Sequence, residues 1–519
     1  MAVPQPHTTL HQQQFPPKTV DFLSSLGLSS SQISNLLLSY SVPPLKSYVR
    51  CTDCLCLGGL KAHYFGLHEC KTHRAIPSVI VIDRIPPLPP PPPPLPLPET
   101  PQHTTTQYVV VDPKCAINLL RGSDLFSAGV IIASDSITPS SPVTIAVLTD
   151  SSGTPTVGTK LSSFDLSSTI EIAVGIALIP RVEMFSTRKD SVAVSNVTTI
   201  HGVLPSLGSL PRGKFFPQNL PSAVVVEALF STIKLDAKMV LDMCAAPGGK
   251  ATGLASRLKS SAQHKCVVLA VDRSRNKVRN MRALCNVQGV GDKVICATGD
   301  SSKISEVEVE VEGEEVETLL RRWQHAEETG AGTGTGTGTI KLSKLKKGER
   351  RRTYSHHTYC TISHNLFTES FEAILLDPPC SSLGLRPRIL SSDPLNLDQI
   401  RDLPKYQRKF VDGAVVLLKS GGYLTYSTCT INPQENEVMV EYILRNFGNV
   451  MELVEACVGI APGDVGATIG MAGVGLSEEE RKLCLRWEYG GGVNRGEEDD
   501  DDTIGFFLAK FKKKSIEFS

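Results

Sequence analysis

Two cysteines at the ends of apolar runs hold the most chemical potential in this chain. "FEAILLDPPCSS" (371–382) is a strand-like run closed by an acid, Asp377, then two prolines and Cys380. "GGYLTYSTCTINPQENE" (421–437) repeats the design and stops at Cys429 before a turn. A lone buried cysteine is ordinarily inert packing. Two thiols at equivalent strand tips point instead to covalent catalysis, in which a sulfur nucleophile divides one difficult step into two easier ones. A neighbouring positive group or helix terminus would lower the thiol pKa and activate it.

A second constellation lies upstream. "KMVLDMCAAPGGKATGLAS" joins a strand to a helix through Cys244, Ala245, Ala246, Pro247, Gly248, Gly249 and Lys250. Glycines there let backbone approach a ligand closely, and the helix start offers free N–H groups to a carboxylate. The loop lacks both G-x-G-x-x-G and the P-loop spacing, which argues against a pyrophosphate or triphosphate ligand. The next strand, "CVVLAVD", ends on Asp272, where a carboxylate can accept both hydroxyls of a ribose. The following one leads to Asp300 in "ATGDSSK", placed to meet an adenine amine. A small loop, a ribose acid and an adenine acid together suit S-adenosylmethionine.

A methyl donor beside two thiols narrows the chemistry further. Carbon 5 of a pyrimidine is too poor a nucleophile to be methylated until a thiolate adds to carbon 6. An acid must then hold ring nitrogen 3, and Asp377 stands where that is needed. After transfer the carbon 5 proton must leave so that the first sulfur can depart, a step a second cysteine can promote.

These residues need a scaffold that brings strand tips together. From about Phe215 the chain alternates strands and helices, which predicts an α/β, doubly wound, mostly parallel sheet of the class I methyltransferase type. Ligands in such sheets bind beyond the carboxyl ends of the strands. The closing "TIGFFLAKF" (503–511) is expected to add a final edge strand. Residues 305–352 run from an acidic stretch through "GTGTGTGTG" to a basic one and are expected to form a disordered insertion. "EEDDDD" (497–502) reads as solvated surface.

Ahead of this unit the expected layout is an N-terminal region (1–105), a small β-rich domain (106–205) and the catalytic domain (206–519). The N-terminal region opens with helices and closes with a proline-rich segment at 85–98, a stiff polyproline spacer of roughly 3 Å per residue. Between these, Cys51, Cys54, Cys56, Cys70, His63, His68 and His73 stand close together, but their spacing matches no common zinc finger, and no metal is expected. "CAINLLRGSDLFSAGVI" (115–131) resembles the opening of a PUA domain, a compact RNA-binding barrel. That resemblance places Arg121, Gly122 and Gly129 beside an RNA groove.

With a formal net charge of zero, the 519-residue chain has no general attraction for nucleic acid, so RNA must be held by local basic residues. Arg121, Lys405 and Arg408 are the candidates. The start of the chain lacks an apolar signal core, and the 14 cysteines then read as reduced thiols in a cytoplasmic protein, with nucleus or organelle as alternatives. The apolar run "IEIAVGIALIP" is too short to span a membrane.

Taken in order, "LDMCAAPGGK", "DPPCSSLGLRP" and "TYSTCTINPQENE" resemble the Sun-domain RNA cytosine-5 methyltransferases, the NOP2/Sun or Fmu family, over roughly residues 206 to 511. The resemblance implies that Cys429 is the nucleophile and that Cys380 assists release of the adduct. It also implies that the loop Cys244 to Lys250, Asp272, Lys277, Asp300 and Asp377 contact S-adenosylmethionine. One branch of the family carries a PUA domain and methylates the tRNA acceptor stem, so tRNA is the expected partner of a monomeric enzyme. Two rivals stand beside this reading. A DNA cytosine methyltransferase would attack from the Pro-Cys position, Cys380, and a tRNA-binding scaffold would leave the catalytic fold inactive.

Overall fold

The computed structural model describes residues 14–51, 68–85, 106–149, 155–186, 191–204, 207–261, 265–303, 309–312, 341–343, 359–362, 369–390, 395–489 and 502–515. At its centre is a mixed sheet whose strands are β5 (Met239–Asp242), β6 (Val267–Asp272), β7 (Val294–Thr298), β8 (Phe371–Leu376), β9 (Leu418–Thr428), β10 (Met451–Val454) and β11 (Phe506–Lys513). They lie in the order β7-β6-β5-β8-β9-β11-β10. The pairs β5/β6, β6/β7, β5/β8 and β8/β9 are parallel, and β11 runs antiparallel to both β9 and β10. Strands such as "VVLAVD" are apolar throughout because helices cover both faces, and parallel strands require crossovers. The crossovers include α5 (Gly249–Ser260), α6 (Arg275–Val287) and α7 (Leu397–Leu417), with α4 (Leu220–Phe230) ahead of β5 and α8 (Glu437–Phe447) after β9. Chain direction across the sheet reverses between β5 and β8, which opens a crevice at their carboxyl ends.

Three expectations are corrected here. The segment 503–511 is not an edge: β11 sits between β9 and β10, and Leu485–Trp487 also pairs with it. Its "FFLAKF" run is buried because the antiparallel return lays it inside the sheet rather than along its rim. Within the stretch expected to be disordered, Val309–Glu312 and Lys341–Ser343 form strands, and together with Tyr359–Ile362 just beyond it they continue the sheet outward from β7. β7 would otherwise be an open edge, and the period-two alternation of "VEVEVE" suits a strand that satisfies it. The rest of 305–352 lies outside the described residues. Asp502 is likewise not simply solvated: its carboxylate pairs with Arg386 and accepts the Leu45 N–H at 2.7 Å.

The N-terminal stretch is woven into the catalytic unit. Strands β1 (Lys46–Cys51), β2 (Cys70–Thr72) and β3 (Val79–Asp83) form a sheet with β4 (Phe215–Pro217), a strand from the far side of the 106–205 segment. Helices α1 (Pro17–Ser25) and α2 (Ser30–Ser41), the latter begun by a Ser29–Gln32 capping box, bury Leu23, Leu36 and Tyr40 against Leu383, Ile400 and Ile431. Between β3 and β4, seven strands from Tyr108–Val111 to Val192–Thr199 make a separate sheet. Helix α3 (Pro113–Leu120), capped by Asp112, packs into its core. Ile389, a residue of the catalytic unit, is buried in that same core.

The proline segment beyond Ile85, and Cys54, Cys56 and His63, lie outside the described residues. Cys51 and Cys70 are buried strand residues. His73 Nδ1 accepts the N–H groups of Ala75 and Ile76, and His68 Nδ1 lies 3.0 Å from the Asp83 carbonyl. Among the described residues no helix is long and apolar enough to cross a membrane.

Candidate active site

The strand tips converge as the sheet order requires. Because β8 and β9 are parallel neighbours, with Leu375 opposite Thr425, the loops that follow them leave the sheet side by side. This places Cys380 Sγ and Cys429 Sγ 3.3 Å apart, with Ser382 Oγ 3.5 Å from the Cys429 sulfur. Seven other described cysteines are buried, whereas these two, like Cys115 and Cys244, are partly exposed. The Cys380 thiol, hydrogen-bonded to the Cys429 sulfur, holds Cys429 below the ordinary thiol range, helped by Ser382 and by the Lys250 charge against the opposing burial and Asp377. The same hydrogen bond, with burial, pushes Cys380 well up. Of the two sulfurs, Cys429 is therefore the one that gives up a proton more readily, and Cys380 the one that keeps it.

Both loops are fastened from beneath. Glu435 is fully buried; it accepts the Ser381 N–H at 2.9 Å, Gln407 Nε2–H at 2.7 Å and Asn432 Nδ2–H at 2.8 Å. Gln407 also donates to the Pro379 carbonyl, and Ser381 Oγ meets Thr430 Oγ1 at 2.7 Å. The two cysteine loops are thus one hydrogen-bonded unit.

Lys250, at the start of α5, reaches across to form an ion pair with Asp377, and the other Asp377 oxygen accepts from Ser427 Oγ at 3.3 Å. Asp242, the last residue of β5, is 1% exposed and its two carboxylate oxygens have no side-chain partner. Burial pushes its carboxyl up to about 7, opposed by Lys250. A glycine in the left-handed region shapes the loop: Gly248 has φ +107°, and a Cβ there would stand 2.8 Å from Met281 Cγ.

Beside this cluster opens a cleft of about 540 Å³ lined by Met243, Cys244, Asp272, Lys277, Asp300 and Pro379, with Tyr406 and Phe410 from α7 on its far wall. Asp272 is oriented by the N–H groups of Ala246 and Ser274, and Asp300 by Ser302. Two carboxylates on successive strand tips, an aromatic wall and a helix N-terminus make a cradle of the size and polarity an adenosyl amino acid requires, so the residues present fit S-adenosylmethionine.

The expected basic residues are more dispersed. Arg121 gives one guanidinium N–H to the Arg386 carbonyl at 3.1 Å, which joins the seven-stranded unit to the loop after Cys380. Lys405 is exposed beside Asp402, and Arg408 stacks on Tyr442 with 4.7 Å to the ring centre. Gly122 has φ +92° and closes the turn after α3. Sequence reasoning missed Asp242 and Glu435, although both stand inside the quoted motifs. It also missed Arg50, whose role depends on strand pairing that no local pattern reveals.

The strand order, the antiparallel β11 and the glycine loop at the switch point define a Rossmann-like methyltransferase that uses S-adenosylmethionine. Comparison with known proteins gives the family. The family model for 16S rRNA methyltransferase RsmB/F matches residues 233–320 and 341–471. Similar proteins include the rRNA (cytosine-C(5))-methyltransferase NOP2C of Arabidopsis thaliana, 31% identical over 453 residues that cover 78% of this chain and 72% of that protein. They also include the tRNA (cytosine(72)-C(5))-methyltransferase NSUN6 of Mus musculus, 27% identical over 94% of this chain and 92% of its own. The crystal structure of NSun6 from Pyrococcus horikoshii with SFG superposes with a TM-score of 0.61 at 23% identity, covering 96% of this chain and 98% of that one, and shows the shared fold. The chain belongs to the RsmB/F, or Sun-domain, family of RNA cytosine-C5 methyltransferases.

Proposed function

We propose that the chain methylates carbon 5 of a cytosine in the acceptor stem of tRNA, with Cys429 as nucleophile and Cys380 as the residue that releases the product. The observation that carries this reading is the 3.3 Å sulfur pair with opposite proton preferences at the mouth of the cleft. The Cys429 thiolate adds to carbon 6 of the flipped-out base, while Asp377, held by Lys250 and Ser427, faces ring nitrogen 3 as electron density moves into the ring. Carbon 5 becomes nucleophilic. S-Adenosylmethionine supplies an electrophilic methyl group on a sulfonium. The loop Cys244 to Gly249, Asp272, Lys277 and Asp300 would hold it, with Asp377 at the reacting end. With the Cys429 sulfur tied up in the carbon–sulfur bond, the contact that favours the proton on Cys380 is gone and that thiol gives its proton to solvent. Once carbon 5 carries the methyl group, the Cys380 thiolate takes the carbon 5 proton, the ring double bond reforms, and the carbon–sulfur bond breaks with its electron pair returning to Cys429.

Support for tRNA comes from the likeness to NSUN6, which extends over nearly the whole chain and so includes the β-rich unit at 106–205. We read that unit as a PUA-like RNA-binding domain, with Arg121 and Gly122 near the acceptor stem and Lys405 and Arg408 on phosphates. A second reading, rRNA, is favoured by the similarity to NOP2C. The two are separated by bisulfite sequencing of tRNA and rRNA after incubation with purified enzyme and methyl donor. Conversion-resistant cytosine in an acceptor stem supports the first; modification confined to rRNA overturns it. The proposal includes a monomer acting in the cytoplasm, checked by light scattering of the purified chain and imaging of a tagged one.

A further inference from the structure

Arg50 belongs to β1, in the N-terminal stretch, yet its guanidinium is buried (4% exposed) against the helix that begins at the cofactor loop. Nη1 donates to the Gly249 carbonyl at 2.6 Å and to Gln218 Oε1 at 2.9 Å. Nη2 donates to Thr252 Oγ1 at 2.9 Å and to Gln288 Oε1 at 2.6 Å. The guanidinium stacks on Phe216, 5.0 Å from the ring centre. Space is reserved for the group, since a Cβ at Gly253 would fall 2.5 Å from Nη1.

Every one of these acceptors is neutral. Among the described residues no carboxylate pairs with Arg50, whereas Lys250 one residue into the same helix has Asp377. Burial lowers the Arg50 pKa to about 10, which leaves it cationic at neutral pH. A buried cation without an anion is costly, and structures normally supply the missing partner. The four hydrogen bonds offset part of that cost. The charge also adds to the positive end of the α5 dipole, where an anionic group is favoured.

We propose that Arg50 is a cofactor-positioning residue whose unpaired charge is balanced by the carboxylate of the amino-acid end of S-adenosylmethionine at the start of α5. The N-terminal sheet then takes part in cofactor binding, and the pairing of β1 with β4 is what delivers the charge. The inference concerns cofactor binding alone and stands or falls independently of which RNA is methylated.

The test compares two ligands in the full chain by calorimetry: S-adenosylhomocysteine, which has the carboxylate, and 5′-methylthioadenosine, which lacks the amino-acid end. In the neutral variants Arg50→Gln and Arg50→Met, affinity for S-adenosylhomocysteine should fall about tenfold, the scale of one charge interaction across several ångströms of protein. Affinity for 5′-methylthioadenosine should change by less than about twofold. Arg50→Lys should keep most of the discrimination. Equal losses for both ligands would reduce Arg50 to a general support of the loop and overturn the proposal, as would unchanged binding of S-adenosylhomocysteine. Should the neutral variants fail to fold, the ¹⁵N guanidinium resonances of Arg50 in the unsubstituted protein decide: they should shift with S-adenosylhomocysteine and not with 5′-methylthioadenosine, and identical responses overturn the proposal.

Discussion

Replacing Glu435 should disturb both the stability of the chain and the reactivity of its thiols. The buried carboxylate accepts three hydrogen bonds, from the loop of Cys380, from α7 and from the loop of Cys429. Glu435→Ala leaves all three donors facing a cavity, and each buried donor without a partner costs about 1–3 kcal/mol. Because water can enter the space, a total of about 4 kcal/mol is expected rather than the full sum. Glu435→Gln keeps the shape but turns one oxygen into a donor. In its cheaper orientation the amide faces Asn432 Nδ2 alone, a single mismatch of about 1–3 kcal/mol. Urea unfolding of both variants measures these differences. The second readout is alkylation of Cys429 by iodoacetamide as a function of pH. If the clasp sets the sulfur contact, loosening it weakens the Cys380 hydrogen bond that holds Cys429 low, and the midpoint of the alkylation profile moves up. Variants that unfold within about 0.5 kcal/mol of the parent, the range of an ordinary surface change, and show an unchanged alkylation profile would refute the clasp.

Other consequences are simpler to state. Asp242 titrates near 7 in the folded chain and near 4 when unfolded, so the folded state binds the extra proton between those values and stability falls as pH rises through them. Asp242→Asn should flatten that slope, worth on the order of 4 kcal/mol across the window, in urea unfolding measured from pH 4 to 8. Gly384→Ala should destabilise by more than about 2 kcal/mol in the same assay, because a Cβ there collides with the Gly505 backbone behind the Cys380 loop. RNA affinity should fall with salt along a log–log line, losing about 0.7–0.9 in slope for each phosphate contact removed, so Lys405→Ala and Arg408→Ala should each flatten it if they touch phosphate.

Much of the catalytic unit was legible in the sequence because its signals are local. Apolar strands ending on Asp272, Asp377 and Cys429, separated by amphipathic helices, specify a parallel sheet and put those residues at one rim of it. That Cys380 and Cys429 meet required only that β8 and β9 be neighbours. What escaped reading depends on contacts distant in sequence. The final strand enters the sheet beside β9 because of antiparallel pairing that its composition does not encode. Arg50 meets Gly249 only after β1 pairs with β4, two strands separated by the entire 106–205 unit. Asp502 sits in a run of acids that looks solvated, yet it meets the buried Arg386 through a fold-level contact. Asp242 was hidden for another reason: an acid in an apolar strand looks like the strand's end, and its lack of a partner is visible only in three dimensions.

The most direct measurement is covalent trapping on RNA by mass spectrometry, with each cysteine replaced in turn. Cys380→Ser should accumulate a protein–RNA adduct linked through Cys429, and Cys429→Ser should give no adduct and no methylated cytosine. An adduct linked through the residue at 380 in the Cys429→Ser protein, or methylation at the parent rate without Cys429, would contradict the account.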